Sequence, residues 1–393
     1  MIRPRHAVST ALLAGAILAT GHAVAADTLE NAIATEHHDL RLERVATGLK
    51  NPWAMAELPD GRYLVTERPG TMALIDSEGD VVRLEGVPEI SSHGQGGLLD
   101  IVLHPDYGNR GDSGESDGDG TGDHDWLYFT WSQAGDGGTA TTLSRARLEG
   151  ERLVDVEQLF VQDRFSQPGR HYGSRLAWLD DGTLLMSIGD RGTNPERAQD
   201  SGDHAGSFLR LTDTGGVPDD NPFVDDADAL DELYTFGNRS PQGLTVTRDG
   251  EIWSTEHGPR TGDELNLIEP GVNYGWPEVS RGNDYATNQP IGVDSAPGMR
   301  DPVHVFEGRF APSGLAEVTG DAFPDWQGDL LAGGLSSEKL IRLSLDGAEV
   351  DEREVILEGE IGRIRDVRQG SDGAIYLLED AAEGALYRLS PAE

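Results

Sequence analysis

An Asp-Gly turn followed by a short run of β-branched and aromatic residues recurs along this 393-residue chain, and that recurrence limits its fold more than any other feature. Asp60-Gly61 precedes residues 62–67, Asp181-Gly182 precedes 183–189 with Asp190 at the end, Asp249-Gly250 precedes 251–256, and Asp372-Gly373 precedes 374–379. Two weaker copies fill the gaps, Asp125 before 126–131 and Gly328-Asp329 before 330–333. Six units at a mean spacing of roughly 60 residues match the period of propellers and solenoids. Each unit reads as a small antiparallel sheet with tight turns. Helical periodicity is nearly absent, and residues 194–207 are the one stretch expected to form a short helix. A six-bladed β-propeller is therefore predicted, because a closed ring leaves few open sheet edges. The first blade is expected within residues 40–75, and residues 385–389 are expected to pair where the ring ends.

The first 25 residues read as a leader. Arg3, Arg5 and His6 are followed by an apolar run over 11–19 and by Ala23-Val24-Ala25, a small-residue cleavage pattern. That run is too short to span a bilayer, so the expectation is a periplasmic or secreted protein whose catalytic domain covers 26–393. An acidic insertion at about 111–124 has no apolar residue over 111–123 and reads as solvated surface. There is no cysteine, which excludes disulfides and thiolate chemistry. The net charge of −39 makes nucleic acid and anionic membranes poor partners, and suggests adaptation to high salt.

Several loops carry candidate chemistry. The stretch Glu256-His257-Gly258-Pro259-Arg260-Thr261-Gly262-Asp263-Glu264 follows a strand and crowds carboxylates and carbonyl oxygens together. A hard cation such as Ca2+ takes six to eight oxygens of this kind, and a plain structural bend is the alternative. His171 lies in a glycine-flanked loop and could act as a base near neutrality. Asp190, at the end of the next strand, could fix its tautomer. Arg363 and Arg365, two residues apart, could form a fork for carboxylates, or simply a solvated strand face. Arg239 and Gln95 occupy further turns where strands should converge.

Taken in order, the segments 93–103, 234–244, 256–277 and 362–367 resemble the soluble pyrroloquinoline quinone (PQQ)-dependent aldose sugar dehydrogenases, relatives of soluble quinoprotein glucose dehydrogenase. The resemblance covers nearly the whole chain after the leader, and that family has six propeller blades. It implies PQQ bound to a Ca2+ that is also held by the Gly258 and Pro259 carbonyls, and a second, structural Ca2+ at Glu264 and Tyr274. It places Gln95, Arg239, Ser240, Arg363 and Arg365 against the cofactor, with His171 as catalytic base oriented by Asp190. The implied reaction oxidises an aldose at its anomeric carbon and passes the electrons to an external acceptor. Two positions depart from the family: Ser336 stands where a lysine is usual, and Ser240 where an asparagine is usual. A calcium-dependent propeller lactonase or esterase, and a non-catalytic glycan- or protein-binding propeller, are the competing readings. The irregular stretch 281–300 is expected to shape the sugar site.

Overall fold

The structure is a computed structural model that describes residues 27–109 and 124–392. The expected leader and all of the acidic insertion except His124 lie outside the described residues. Six sheets form a ring. Blade one comprises Pro52–Glu57, Tyr63–Glu67, Thr71–Ile75 and Val81–Arg83. Blade two comprises Leu98–Leu103, Leu127–Gly135, Gly138–Glu149 and Arg152–Val161. Blades three, four and five begin at Leu176–Trp178, Pro241–Val246 and Pro312–Glu317. Blade six holds Ile364–Gln369, Ile375–Glu379 and Gly384–Pro391. The first strand of each blade touches the first strands of its neighbours, so these six strands line the central channel.

The repeated units of the sequence are the second strands of the six blades: Tyr63–Glu67, Leu127–Gly135, Leu184–Ile188, Ile252–Glu256, Leu330–Gly334 and Ile375–Glu379. The Asp-Gly pairs are the turns that lead into them. Apolar faces of adjacent blades pack together, as where Ala54, Leu64 and Met72 of blade one meet Leu98 and Phe129 of blade two.

Two local expectations need correction. Residues 40–49 do not open blade one. Asp39–Leu49 pairs with Gly384–Pro391, with Leu42 opposite Leu389 and Thr47 opposite Ala385, and Asp27–Ala34 adds a fifth strand outside it. The two ends of the chain thus close the ring in one sheet, which removes the unpaired edge that the final strand would otherwise leave. Leu40 and Leu42 are buried against Ile375, Leu377 and Leu389. The expected helix over 194–207 is only a 3-10 turn, Pro195–Gln199, and Ser207 already begins a strand of blade three.

Charged residues from three blades meet inside the channel. Arg175 Nη1 lies 2.7 Å from Asp366 Oδ1 and 3.5 Å from Asp100, while Arg368 bonds Asp100 at 2.9 Å and Asp366 at 3.1 Å. The backbone N–H groups of Met55 and Leu176 donate to the same two carboxylates. Arg175 also donates to the carbonyls of Gln242 and Arg365 and lies over the Trp53 ring, which ties five of the six blades to one point.

Candidate active site at the channel mouth

A cavity of about 340 Å3 opens above this ionic plug. It is lined by Trp53, Leu99, Gln242 and Arg365, which lie near the starts of innermost strands, so it occupies one end of the channel. The lining includes five arginines, Arg68, Arg260, Arg309, Arg363 and Arg365, against two carboxylates, Asp263 and Asp380. In a chain with 70 acidic and 31 basic residues this is a local reversal of charge. Arg363 and Arg365 share one carboxylate, Asp380, at 3.2 and 2.6 Å. Arg68 and Arg260 donate only to the backbone carbonyls of Gly94 and Tyr285. Arg309 is exposed, and like Arg68 and Arg260 it makes no ion pair among the described residues.

His171 and Asp190 are brought together beside this cavity. His171 Nδ1 lies 2.6 Å from Asp190 Oδ1, and the other carboxylate oxygen accepts from Trp276 Nε1 at 2.8 Å. The His171 backbone N–H donates to the Gln95 side-chain oxygen at 2.7 Å, which links the imidazole loop to a residue lining the cavity. His171 has φ of 50°, with Ser174 at 80° and Arg191 at 63° close by. Non-glycine residues held in this region mark backbone whose surroundings fix an unfavourable geometry. Burial pulls the His171 pKa below the ordinary histidine value, the Arg239 charge adds to this, and Asp190 only partly offsets them. Burial would raise the Asp190 carboxyl, yet its bond to His171 and the surrounding positive charge hold it below the ordinary range. The resting pair is therefore neutral imidazole beside carboxylate, the form a proton acceptor needs.

Arg239 lies between this pair and the next loop. Its Nη1 donates to the His257 carbonyl at 2.9 Å, its backbone N–H donates to Glu256, and its buried Nε has no partner among the described residues. The buried Nε of Arg365 is likewise without a partner. Ser240 and Gln95 both line the cavity.

The acidic loop packs under the same rim. Glu256 and Glu264 face each other directly across paired strands. Burial pushes Glu256 up to about 7, and burial together with the Glu256 charge pushes Glu264 up to about 8. Buried, facing carboxylates without a matching cation favour a bound metal or a proton. Gly258 lines the cavity and its carbonyl accepts no hydrogen bond among the described residues, whereas that of Pro259 accepts from the Thr261 N–H. A Cβ at Gly258 would lie 2.2 Å from the Gly262 carbonyl, so only glycine lets this turn fold so tightly. The phenol of Tyr274 is occupied elsewhere, bonded to Leu267 and Glu269, which leaves only its backbone for a ligand role. The donor set suits a hard, oxygen-loving cation.

Lys339, three residues beyond Ser336, does not turn back into the cavity. It pairs with Glu358 at 2.9 Å, while Ser336 itself lines the cavity. Sequence reasoning missed Asp380, Trp276 and the arginines Arg68, Arg260 and Arg309. Asp380 had a usable signal: it directly follows the second strand of its blade, close to where Asp190 stands, two residues past the strand ending at Ile188. Arg260 and Trp276 lie in the stretch 256–277 already singled out, though neither was given a role; nothing local marks Arg68 and Arg309.

A closed six-bladed ring with a carboxylate-backed imidazole and an arginine-lined mouth is a propeller enzyme arranged for an anionic ligand. Residues 49–388 match the family model described as Glucose / Sorbosone dehydrogenase. The aldose sugar dehydrogenase YliI of Escherichia coli (strain K12) is 36% identical over 360 residues, covering 90% of this chain and 93% of that one. The crystal structure of the soluble aldose sugar dehydrogenase from Escherichia coli in the apo-form aligns with a TM-score of 0.83 at 34% identity, over 90% of this chain and 99% of that one. The PQQ-bound form of aldose sugar dehydrogenase from Streptomyces coelicolor aligns with a TM-score of 0.70 at 28% identity, over 90% and 99%. The chain belongs to the glucose/sorbosone dehydrogenase family and is an oxidoreductase of the quinoprotein kind.

Proposed function

We propose that this protein is a PQQ- and calcium-dependent aldose dehydrogenase that oxidises the anomeric carbon of a sugar to the lactone. The observation that carries this reading is the set of cavity arginines left without ion pairs beside the His171–Asp190 couple. Charged groups of an acidic protein normally find carboxylates, so unpaired guanidinium groups converging on one cavity call for an anion from outside. A planar tricarboxylated quinone is such an anion, and the unpartnered Nε atoms of Arg239 and Arg365 fit it.

Arg363 and Arg365 would hold carboxylates of the cofactor, with Arg309 closing the open side. Gln95, Arg239 and Ser240 would fix its orientation. The Gly258 and Pro259 carbonyls would hold the Ca2+ that bridges to it, and Glu264 with the Tyr274 backbone a second ion. Once bound, the quinone supplies the hydride-accepting carbon that no side chain can provide. His171 takes the proton from the anomeric hydroxyl, and Asp190 stabilises the imidazolium that forms. Arg239 sets positive charge where negative charge develops. Tyr285 lines the cavity, and the stretch 281–300 to which it belongs would shape the sugar site. An external acceptor would take the electrons from the reduced cofactor, and the expected leader would put the reaction in the periplasm or outside the cell.

The test is to add PQQ and Ca2+ to purified apo-protein and follow dye reduction with a panel of aldoses. Sugar-dependent reduction with a bound chromophore is expected. No chromophore, with hydrolysis of lactones intact, replaces this reading with a propeller lactonase.

A further inference from the structure

We propose a second metal site, separate from the cavity, formed by His104, Asp106 and His124 for a divalent ion of zinc or copper type. Blade two begins with the hairpin Leu98–Leu103 and Leu127–Gly135, whose last pair is Leu103 with Leu127. The pairing continues one step further, since the His104 N–H donates to the Trp126 carbonyl at 2.9 Å. The two arms then diverge through a turn at 104–107 and a turn at 124–126, closed by the Tyr107 N–H to the His104 carbonyl and the Trp126 N–H to the His124 carbonyl. That geometry puts His104 and Asp106 on one arm against His124 on the other.

One ligand atom from each of the three residues lies within 4.8 Å of the others, and among the described residues no other group of three His, Asp or Glu side chains does so. Bound zinc holds its ligands at about 2.0–2.2 Å, so the three must close by roughly 1 Å. Asp106 and His124 are exposed and free to make that movement. The imidazoles are stacked, with centroids 4.7 Å apart and planes 21° from parallel. Two stacked imidazoles repel when both are charged, and proximity to His124 lowers the His104 pKa after the larger effect of burial. The Asp106 N–H donates to His104 Nδ1 at 3.1 Å, a long contact whose loss is small beside a metal–nitrogen bond.

Two nitrogens and one carboxylate oxygen suit zinc or copper, unlike the all-oxygen loop at 256–264, which suits calcium. The ligands flank the acidic run 111–123 in sequence. A bound ion therefore clips the base of the long connection in blade two.

The rings of Trp178 and His104 are 5.3 Å apart, which provides a readout. Protein stripped with a chelator and then saturated with Ca2+ is titrated with Cu2+ by tryptophan quenching and with Zn2+ by calorimetry. One equivalent is expected to bind. Losing an outer partner of a metal ligand costs roughly tenfold or more in affinity, so His124→Ala and Asp106→Asn, which delete direct ligands, should each lose at least that. Quinone binding should be unchanged in both. Absence of a stoichiometric step in the parent protein overturns the proposal, as does a step that both variants retain at full affinity.

Discussion

Asp190 holds His171 with one carboxylate oxygen, 2.6 Å from Nδ1, and is itself anchored through the other by the Trp276 indole. The imidazole is thus fixed from behind, its Nε2 is left as the reactive atom, and the carboxylate that fixes it cannot rotate away. A pair held in this way gives distinct expectations for its two members.

Replacing His171 with Gln should remove the proton acceptor and little else. General-base contributions are about 10²–10⁴-fold, so turnover should fall by that order while PQQ affinity, read by absorbance titration, changes little. A parallel collapse of both would make His171 a structural residue.

The pH dependence follows from the direction of the His171 shift. Because burial and Arg239 hold its pKa below the ordinary value, the neutral form persists to lower pH, and kcat/KM should keep its plateau to below about 6.5. Asp190→Asn removes the one stabiliser of the imidazolium. The acid limb should then move to still lower pH while the plateau height drops. A limb that moves upward would contradict this electrostatic arrangement.

Cofactor affinity should rank the arginines by burial. Arg365 is almost buried, so Arg365→Ala removes charge-assisted bonds worth about 1.5–3 kcal/mol, roughly ten- to hundredfold in Kd. Arg309 is exposed, and Arg309→Ala should cost at most about 1 kcal/mol and flatten the salt dependence of binding. Arg309→Lys should restore most of that loss. Lys339→Ala should have no effect, because Lys339 is engaged with Glu358 outside the cavity. Binding titrations at two salt concentrations separate these cases.

Stability should be most sensitive at the channel plug. Arg175 and Asp366 side chains are each 1% exposed and paired at 2.7 Å. Asp366→Ala leaves the buried Arg175 and the half-buried Arg368 each short of a carboxylate, and breaking such a buried pair costs about 3–5 kcal/mol. Thermal unfolding should show a marked drop in Tm. An unchanged Tm would mean that the plug does not hold the blades.

The sequence made the six second strands legible because an Asp-Gly turn and a β-branched run are local signals, readable without knowing what packs beside them. It also made His171, Asp190 and the Gly258-Pro259 turn visible, since each sits in a turn with unusual composition. It misled at residues 40–49, where local strand character was clear but the partner, residues 384–391, lay at the far end of the chain. It misled again at 194–207, the one stretch expected to be helical, where only Pro195–Gln199 coils.

The sequence by itself determined the repeat, the strand-rich architecture and the loops where chemistry is concentrated, because turn geometry and strand patterning depend on neighbours a few residues apart. Only the tertiary structure decided that Asp380 pairs with both arginines of the fork, that Lys339 faces away, and that Arg68, Arg260 and Arg309 converge on one cavity without ion pairs among the described residues. The first two outcomes depend on strand pairing within one blade; the third depends on ring closure, which brings residues from far apart in the chain to one channel mouth and settles which charges find partners there.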